Sequence, residues 1–165
     1  MPARDVGGKD AVERIRRLMK RCHDELPPTE PELPFILDAD IRLGIEDRIH
    51  AAWTDFSACE WMGATTFGGA ALEALLLWAL KRVKLREMPK RPLDEMALAE
   101  LIRLAVKNQV IDEASERQAS LARDARNLIH PGKALRSGEA CNKTTALTAL
   151  TAVYRVIDEL KGTGA

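Results

Sequence analysis

Residues 61–85 read WMGATTFGGAALEALLLWALKRVKL. From Trp61 to Leu80 the chain is apolar nearly all round, relieved by Thr65, Thr66, Glu73 and three glycines, Gly63, Gly68 and Gly69. A helix that is apolar on every side belongs inside a bundle or at a subunit interface rather than on a surface. Its length also meets the ~20 residues that span a bilayer. Against a membrane span, Glu73 stands at its centre, where an ionised carboxylate is expensive in lipid. The stretch is therefore expected as the central, buried helix of an all-α bundle with no membrane partner. Its small residues would let neighbouring helices approach closely.

On the N-terminal side, Ile41, Ile45, Ile49, Ala52, Trp53 and Phe56 recur at helical spacing, and Asp38 or Asp40 can cap that helix. Gly44 weakens it by about 1 kcal/mol relative to alanine. Before it, LPPTEPELP (residues 26–34) holds four prolines and is read as a connector. Residues 10–23 have capping-box spacing at Asp10 and Glu13 and an apolar stripe of Val12, Ile15, Leu18, Met19 and Cys22. Their opposite face carries Arg14, Arg16, Arg17, Lys20 and Arg21. It reads either as a solvated basic face or as a phosphate-facing patch. The division expected is a basic helix and connector over residues 1–34, then a helical bundle over residues 35–165.

On the C-terminal side, Lys81 to Arg91 is a basic exit, and Pro89 and Pro92 mark a loop. A helix is predicted from Pro92 or Leu93 to Asn108, with Met96, Leu101, Leu104 and Ala105 on its stripe. A turn (NQVID, residues 108–112) leads to a helix from Asp112 to His130. The last helix, with Ser137 as its expected cap, carries Ala146, Leu147, Leu150, Val153, Tyr154, Ile157 and Leu160. No segment alternates as a strand does. The fold class is all-α, an up-and-down bundle of five or six helices.

Bulk properties narrow the classes further. The chain has 165 residues, 46% hydrophobic and 30% charged, which suits one globular domain. Formal net charge is zero, so attraction for nucleic acid must come from a local patch. An aromatic content of 4% argues against a base-stacking platform. The cysteines (Cys22, Cys59, Cys141) are scattered and lack C-x-x-C pairing, which fits a reducing cytoplasm and gives no zinc signature. No cofactor or metal is expected.

The chemistry-bearing stretch is Leu121 to Gly132, LARDARNLIHPG. It reads as the end of a helix stopped by Pro131 and Gly132. Leu121, Ala125 and Leu128 share one face, with Ile129 at its margin; Arg123, Arg126, Asn127 and His130 gather opposite. Alone in the central apolar helix, Glu73 calls for a partner, and Arg123 or Arg126 is expected to supply it, within the chain or across a dimer.

Three pieces together are similar to the HEPN superfamily of helical bundles: GAALEALLLWAL in the central helix, the helix and turn from Leu101 to Asp112, and Arg123-Asp124-Ala125-Arg126-Asn127-Leu128-Ile129-His130-Pro131-Gly132. The last resembles an RDxRNxxHPG ending, and the resemblance covers roughly Ile41 to Leu160. It implies an R-x(4–6)-H motif, metal-independent endoribonuclease activity, and motif helices that meet in a homodimer. A toxin or phage-defence setting, with RNA as substrate and an antitoxin or other protein as partner, is also implied. Arg123 and His130 have the motif spacing; Arg126 has the adjacent asparagine; they are different residues. Asp124 takes the polar position after Arg123. The alternative is a non-catalytic module of the same kind that binds a protein, a nucleotide or RNA.

Such cleavage uses the ribose 2′-hydroxyl as nucleophile. His130 can move protons near neutral pH, an arginine can hold the phosphate, and Asn127 can orient the imidazole or the ribose. One chain offers one motif histidine, and a two-fold dimer would bring two.

Overall fold

The computed structural model describes residues 30–86, 89 and 91–162. The segment 10–23, its basic face and most of the proline-rich connector lie outside the described residues. The described chain forms six helices: α1 (Ala39–Ser57), α2 (Trp61–Arg82), α3 (Leu98–Lys107), α4 (Glu113–Asn127), α5 (Pro131–Ser137) and α6 (Lys143–Gly162). A single 3-10 turn spans Leu93–Glu95, and no strand occurs among the described residues. The architecture is an all-α bundle.

Helix α2 is its axis. It packs against α1, α3, α4, α6 and the 3-10 turn, and Leu72, Leu75, Leu76 and Leu80 are fully enclosed. It is the one helix among the described residues with the length and hydropathy to cross a membrane, and 61% of its most apolar window is buried within the bundle. Close approach comes from its glycines. A Cβ on Gly68 would stand 2.9 Å from the Cβ of Ala149, so α2 and α6 meet nearly backbone to backbone. A polar tie lies alongside: the buried Thr65 hydroxyl donates to the Trp61 carbonyl at 2.7 Å and lies 3.1 Å from the Thr145 hydroxyl. Thr145 also completes the start of α6. Its amide donates to the Asn142 side chain at 3.1 Å, while its hydroxyl accepts from the Asn142 amide at 2.9 Å, a reciprocal cap.

Helix α1 starts where Asp38 accepts from the amides of Asp40 and Ile41, both at 3.1 Å. Ile45, Ile49, Ala52, Trp53 and Phe56 are buried, whereas Ile41 is 43% exposed because its turn lies beyond the packed stripe. Leu33, in the connector, and Ile36 are fully buried in the same core.

Three expectations are corrected. The helix expected from Pro92 is split: the 3-10 turn ends at Glu95, Met96 and Ala97 are extended, and α3 begins at Leu98. The Glu100 carboxylate selects that start by accepting from the Ala97 amide at 2.9 Å. Ser137 does not cap the last helix. It ends α5, and Gly138 follows in the left-handed conformation (φ 68) that closes a helix C-terminus. The motif helix stops at Asn127, three residues short of the His130 end expected.

Glu100 and Asp112 both hold their carboxyls below the ordinary carboxylate range. The Ala97 amide and then the Arg91 guanidinium do this for Glu100, and the Ser115 amide, 2.6 Å away, does it for Asp112. A lowered folded value means the stabilisation is complete near neutral pH and is lost as pH falls through that value. The urea midpoint is therefore expected to drop below about pH 4, and Asp112→Asn, which keeps an N-cap without the charge, to flatten part of that drop. Gly68→Val is expected to destabilise by about 1–3 kcal/mol in urea titration through overpacking. Pairing Gly68→Ala with Ala149→Gly is expected to be milder than Gly68→Ala alone.

Candidate functional site at the end of helix α4

The buried side of α4 is lined by small residues, Ser115, Ala119, Ala122 and Ala125. They let α4 lie close to α2 and α6, and they turn the helix away from the orientation its larger apolar residues suggest. Leu121, expected in the core, is 56% exposed. Arg126, expected on the outer stripe, continues the Ser115–Ala119–Ala122 series at helical spacing and points inward.

A vacancy on α2 makes that possible. A Cβ on Gly69 would stand 2.5 Å from Cδ of Arg126, with Cγ at 3.1 Å and Cβ at 3.2 Å. The aliphatic stem of Arg126 thus crosses bare backbone. One turn further along α2 its Nη1 meets Oε2 of Glu73 at 2.5 Å. The two side chains are 30% and 36% exposed, so the pair is half in water rather than sealed in the core. The lone carboxylate of the central helix has its partner within the chain.

Arg123 lies differently. Its Nη2 and Nε donate to Oδ1 of its neighbour Asp124 at 2.7 and 3.1 Å, and the aspartate side chain is 57% exposed. Asn127 is one turn beyond Arg123, half-buried on the same side of α4. The chain then leaves the helix by a tight turn in which the His130 amide donates to the Asn127 carbonyl at 3.2 Å.

His130 is exposed and has extended backbone (φ −83, ψ 119), so it no longer belongs to the α4 stripe. It is the N-cap of α5, its carbonyl accepting from the amides of Lys133 and Ala134. Pro131 and Gly132 were expected to stop a helix, and Pro131 instead starts one. Proline suits a first helical position, where the missing N–H has no partner to lose. The imidazole makes no capping bond and stays available at the surface. A groove of about 390 Å³ runs beside this end of α4, lined in part by Leu121, Asp124, Leu128, Lys133 and Thr148.

The structure therefore divides the six candidate residues. Glu73 and Arg126 join two helices, while Arg123, Asp124, Asn127 and His130 remain at the surface end of α4. Sequence reasoning missed the slot at Gly69. The signal was there, because Gly69 and Glu73 are four apart and share one face of α2. Among the described residues no three His, Cys, Asp or Glu side chains converge as a metal-ligand set. The chain matches no family model, no curated protein and no solved structure.

Gly69→Ala is expected to cost about 1–3 kcal/mol by overpacking against the arginine stem. Most of that cost is expected to vanish when Arg126 is also changed to Ala, which urea denaturation of the four species would measure. A Glu73→Gln, Arg126→Gln cycle is expected to give a coupling of about 1 kcal/mol or less, since both groups are partly solvated.

Proposed function

We propose that this protein is a metal-independent endoribonuclease of the HEPN kind, working as a homodimer, with Arg123 and His130 as its reacting pair. The observation that carries this reading is the engagement of Arg126 by Glu73. It leaves Arg123, the arginine with the motif spacing, at the same end of α4 as the exposed His130.

In this reading His130 takes the proton of a ribose 2′-hydroxyl, and the oxygen attacks the adjacent phosphorus. The bond to the 5′-oxygen breaks, and that oxygen takes a proton from an imidazolium, supplied by the second copy across a two-fold axis. The products are a 2′,3′-cyclic phosphate and a 5′-hydroxyl. Arg123 holds the phosphate oxygens through its planar donors. To do so it exchanges Asp124 for the substrate. An exposed ion pair of this kind contributes about 1 kcal/mol or less, so a phosphate can displace it. Asn127 orients the imidazole or the ribose. A toxin or defence role, with an antitoxin-like partner, follows the same resemblance, as does a cytoplasmic site of action.

A second reading is a non-catalytic module that grips a partner protein at this same end of α4. It is favoured by Leu121 and Leu135, 56% and 84% exposed on either side of His130 in the chain.

Purified wild type incubated with structured RNA in EDTA is expected to leave cyclic-phosphate ends. His130→Ala is expected to slow cleavage by at least ~100-fold, the scale of a lost proton-transfer group, and Arg123→Ala to slow it too. Equal cleavage by wild type and His130→Ala, or none by either, removes the catalytic role and leaves the second reading.

A further inference from the structure

The charge of this neutral chain is unevenly placed. Residues 81–107 hold eight Lys and Arg against four Asp and Glu, whereas residues 30–60 hold two against eight. The first stretch therefore carries a net charge of +4 and the second −6. The described part of the positive stretch is tied to the turn after α3, while Asp38 and Asp40 at the start of α1 line a groove with Lys81 and Arg82 on its other side. The Arg86 amide donates to the Asn108 side chain at 2.7 Å, and its guanidinium donates to Oε1 of Gln109 at 2.5 Å. These bonds fasten the exit from α2 onto the turn after α3, whose Gln109 adopts a left-handed conformation (φ 58). The end of α2, the exit segment and the end of α3 are thereby held side by side.

Within this surface, Lys81 is taken by Asp94 at 2.5 Å and Arg91 by Glu100. Arg82 lies over the ring of Trp78, 5.2 Å from its centroid. Lys84 and Arg103 are exposed outside those ion pairs. Arg103 donates through Nε to the Ala99 carbonyl at 3.3 Å, stands beside Glu100, and is one turn before Lys107 on the outer face of α3. Favourable interaction with helix C-termini accounts for cations at Arg82 and Lys107. It does not account for Lys84, which follows the helix, or for Arg103 within one.

We propose that this basic end of the bundle is a binding surface for the phosphate backbone of RNA, separate from the end of α4. The choice of RNA as the polyanion rests on the ribonuclease reading; the surface itself does not. The two sites are well apart. Arg126 crosses α2 at Gly69, thirteen residues before Arg82, or about 20 Å at 1.5 Å per residue. A ligand that uses both must therefore extend over several nucleotides. The surface supplies affinity and orientation to longer RNA and takes no part in bond breaking.

The test uses the full chain carrying His130→Ala, which separates binding from cleavage, and a labelled hairpin RNA of about 30 nucleotides followed by fluorescence anisotropy across a salt series. Adding Lys84→Glu with Arg103→Glu is expected to weaken binding by at least ~10-fold and to lower the slope of log affinity against log salt by about 1–2. Arg117→Glu with Lys143→Glu, within α4 and at the opposite end of α6, changes the net charge equally away from this end of the bundle and is expected to alter affinity less than about twofold. The milder Lys84→Ala and Arg103→Ala variants, with unchanged thermal midpoints, are expected to give about half the slope change.

No binding by the full chain, an unchanged slope in the patch variants, or an equal loss in the control pair would each overturn the surface. Patch-dependent binding without cleavage by wild type would keep the surface and remove the ribonuclease reading. Cleavage of long RNA that ignores the patch variants would do the reverse.

Discussion

Arg126 can reach Glu73 only because residue 69 has no side chain. That vacancy acts together with the small buried residues of α4, Ser115, Ala119, Ala122 and Ala125, in setting how the helix is rolled about its axis. A guanidinium drawn inward takes its helix with it, so the small Ala119 and Ala122 face the core and Leu121 is carried to the surface. Residues three and one positions from Arg126, Arg123 and Asn127, are set on the flank by the same rotation. The pair is therefore better understood as an orienting contact than as a source of stability. Its half-solvated setting limits the energy it contributes. Its geometry nevertheless fixes which polar residues the end of α4 presents.

The same economy of side chains recurs along α2. Gly68 brings α6 close, and Thr65, bonded both to its own helix and to Thr145, pins the start of α6. Two adjacent glycines thus serve two different neighbours, one by backbone contact and the other by admitting an arginine stem. Every helix except the short α5 packs closely with α2 or with a helix that α2 holds. Buried leucines provide the bulk of the core, while the small residues determine how its layers sit.

Much of this was legible in the chain. The all-round hydrophobicity of residues 61–80 identifies the central helix, and the period of Ile45, Ile49 and Phe56 identifies the buried side of α1. The failures share a cause. Helical periodicity weighs residues by hydrophobicity and so groups Leu121 with Ala125 and Leu128 and sets Arg126 on the opposite face. That Arg126 could partner Glu73 was read from the lone carboxylate, but not that it would reach it over Gly69 from the packed side. Packing weighs them by fit and by available partners, and a close crossing prefers alanine to leucine. Pro131 shows a second kind of ambiguity, since a proline that bars continuation of one helix is also well placed to begin the next. The split before α3 turned on Glu100 reaching back to the Ala97 amide, which the apolar pattern does not contain.

Helix α5 follows His130 directly, yet none of its residues is buried. The segment beside the exposed imidazole is in this way excused from the demands of the core. Exchanging its residues, or lengthening the loop beyond Gly138, disturbs no packed layer, whereas a methyl group at Gly68 or Gly69 meets a neighbour at once. Packing thus constrains substitution least next to the surface residues of interest and most in the helix that positions them. A lineage could retune what this end of the molecule recognises without having to refold it.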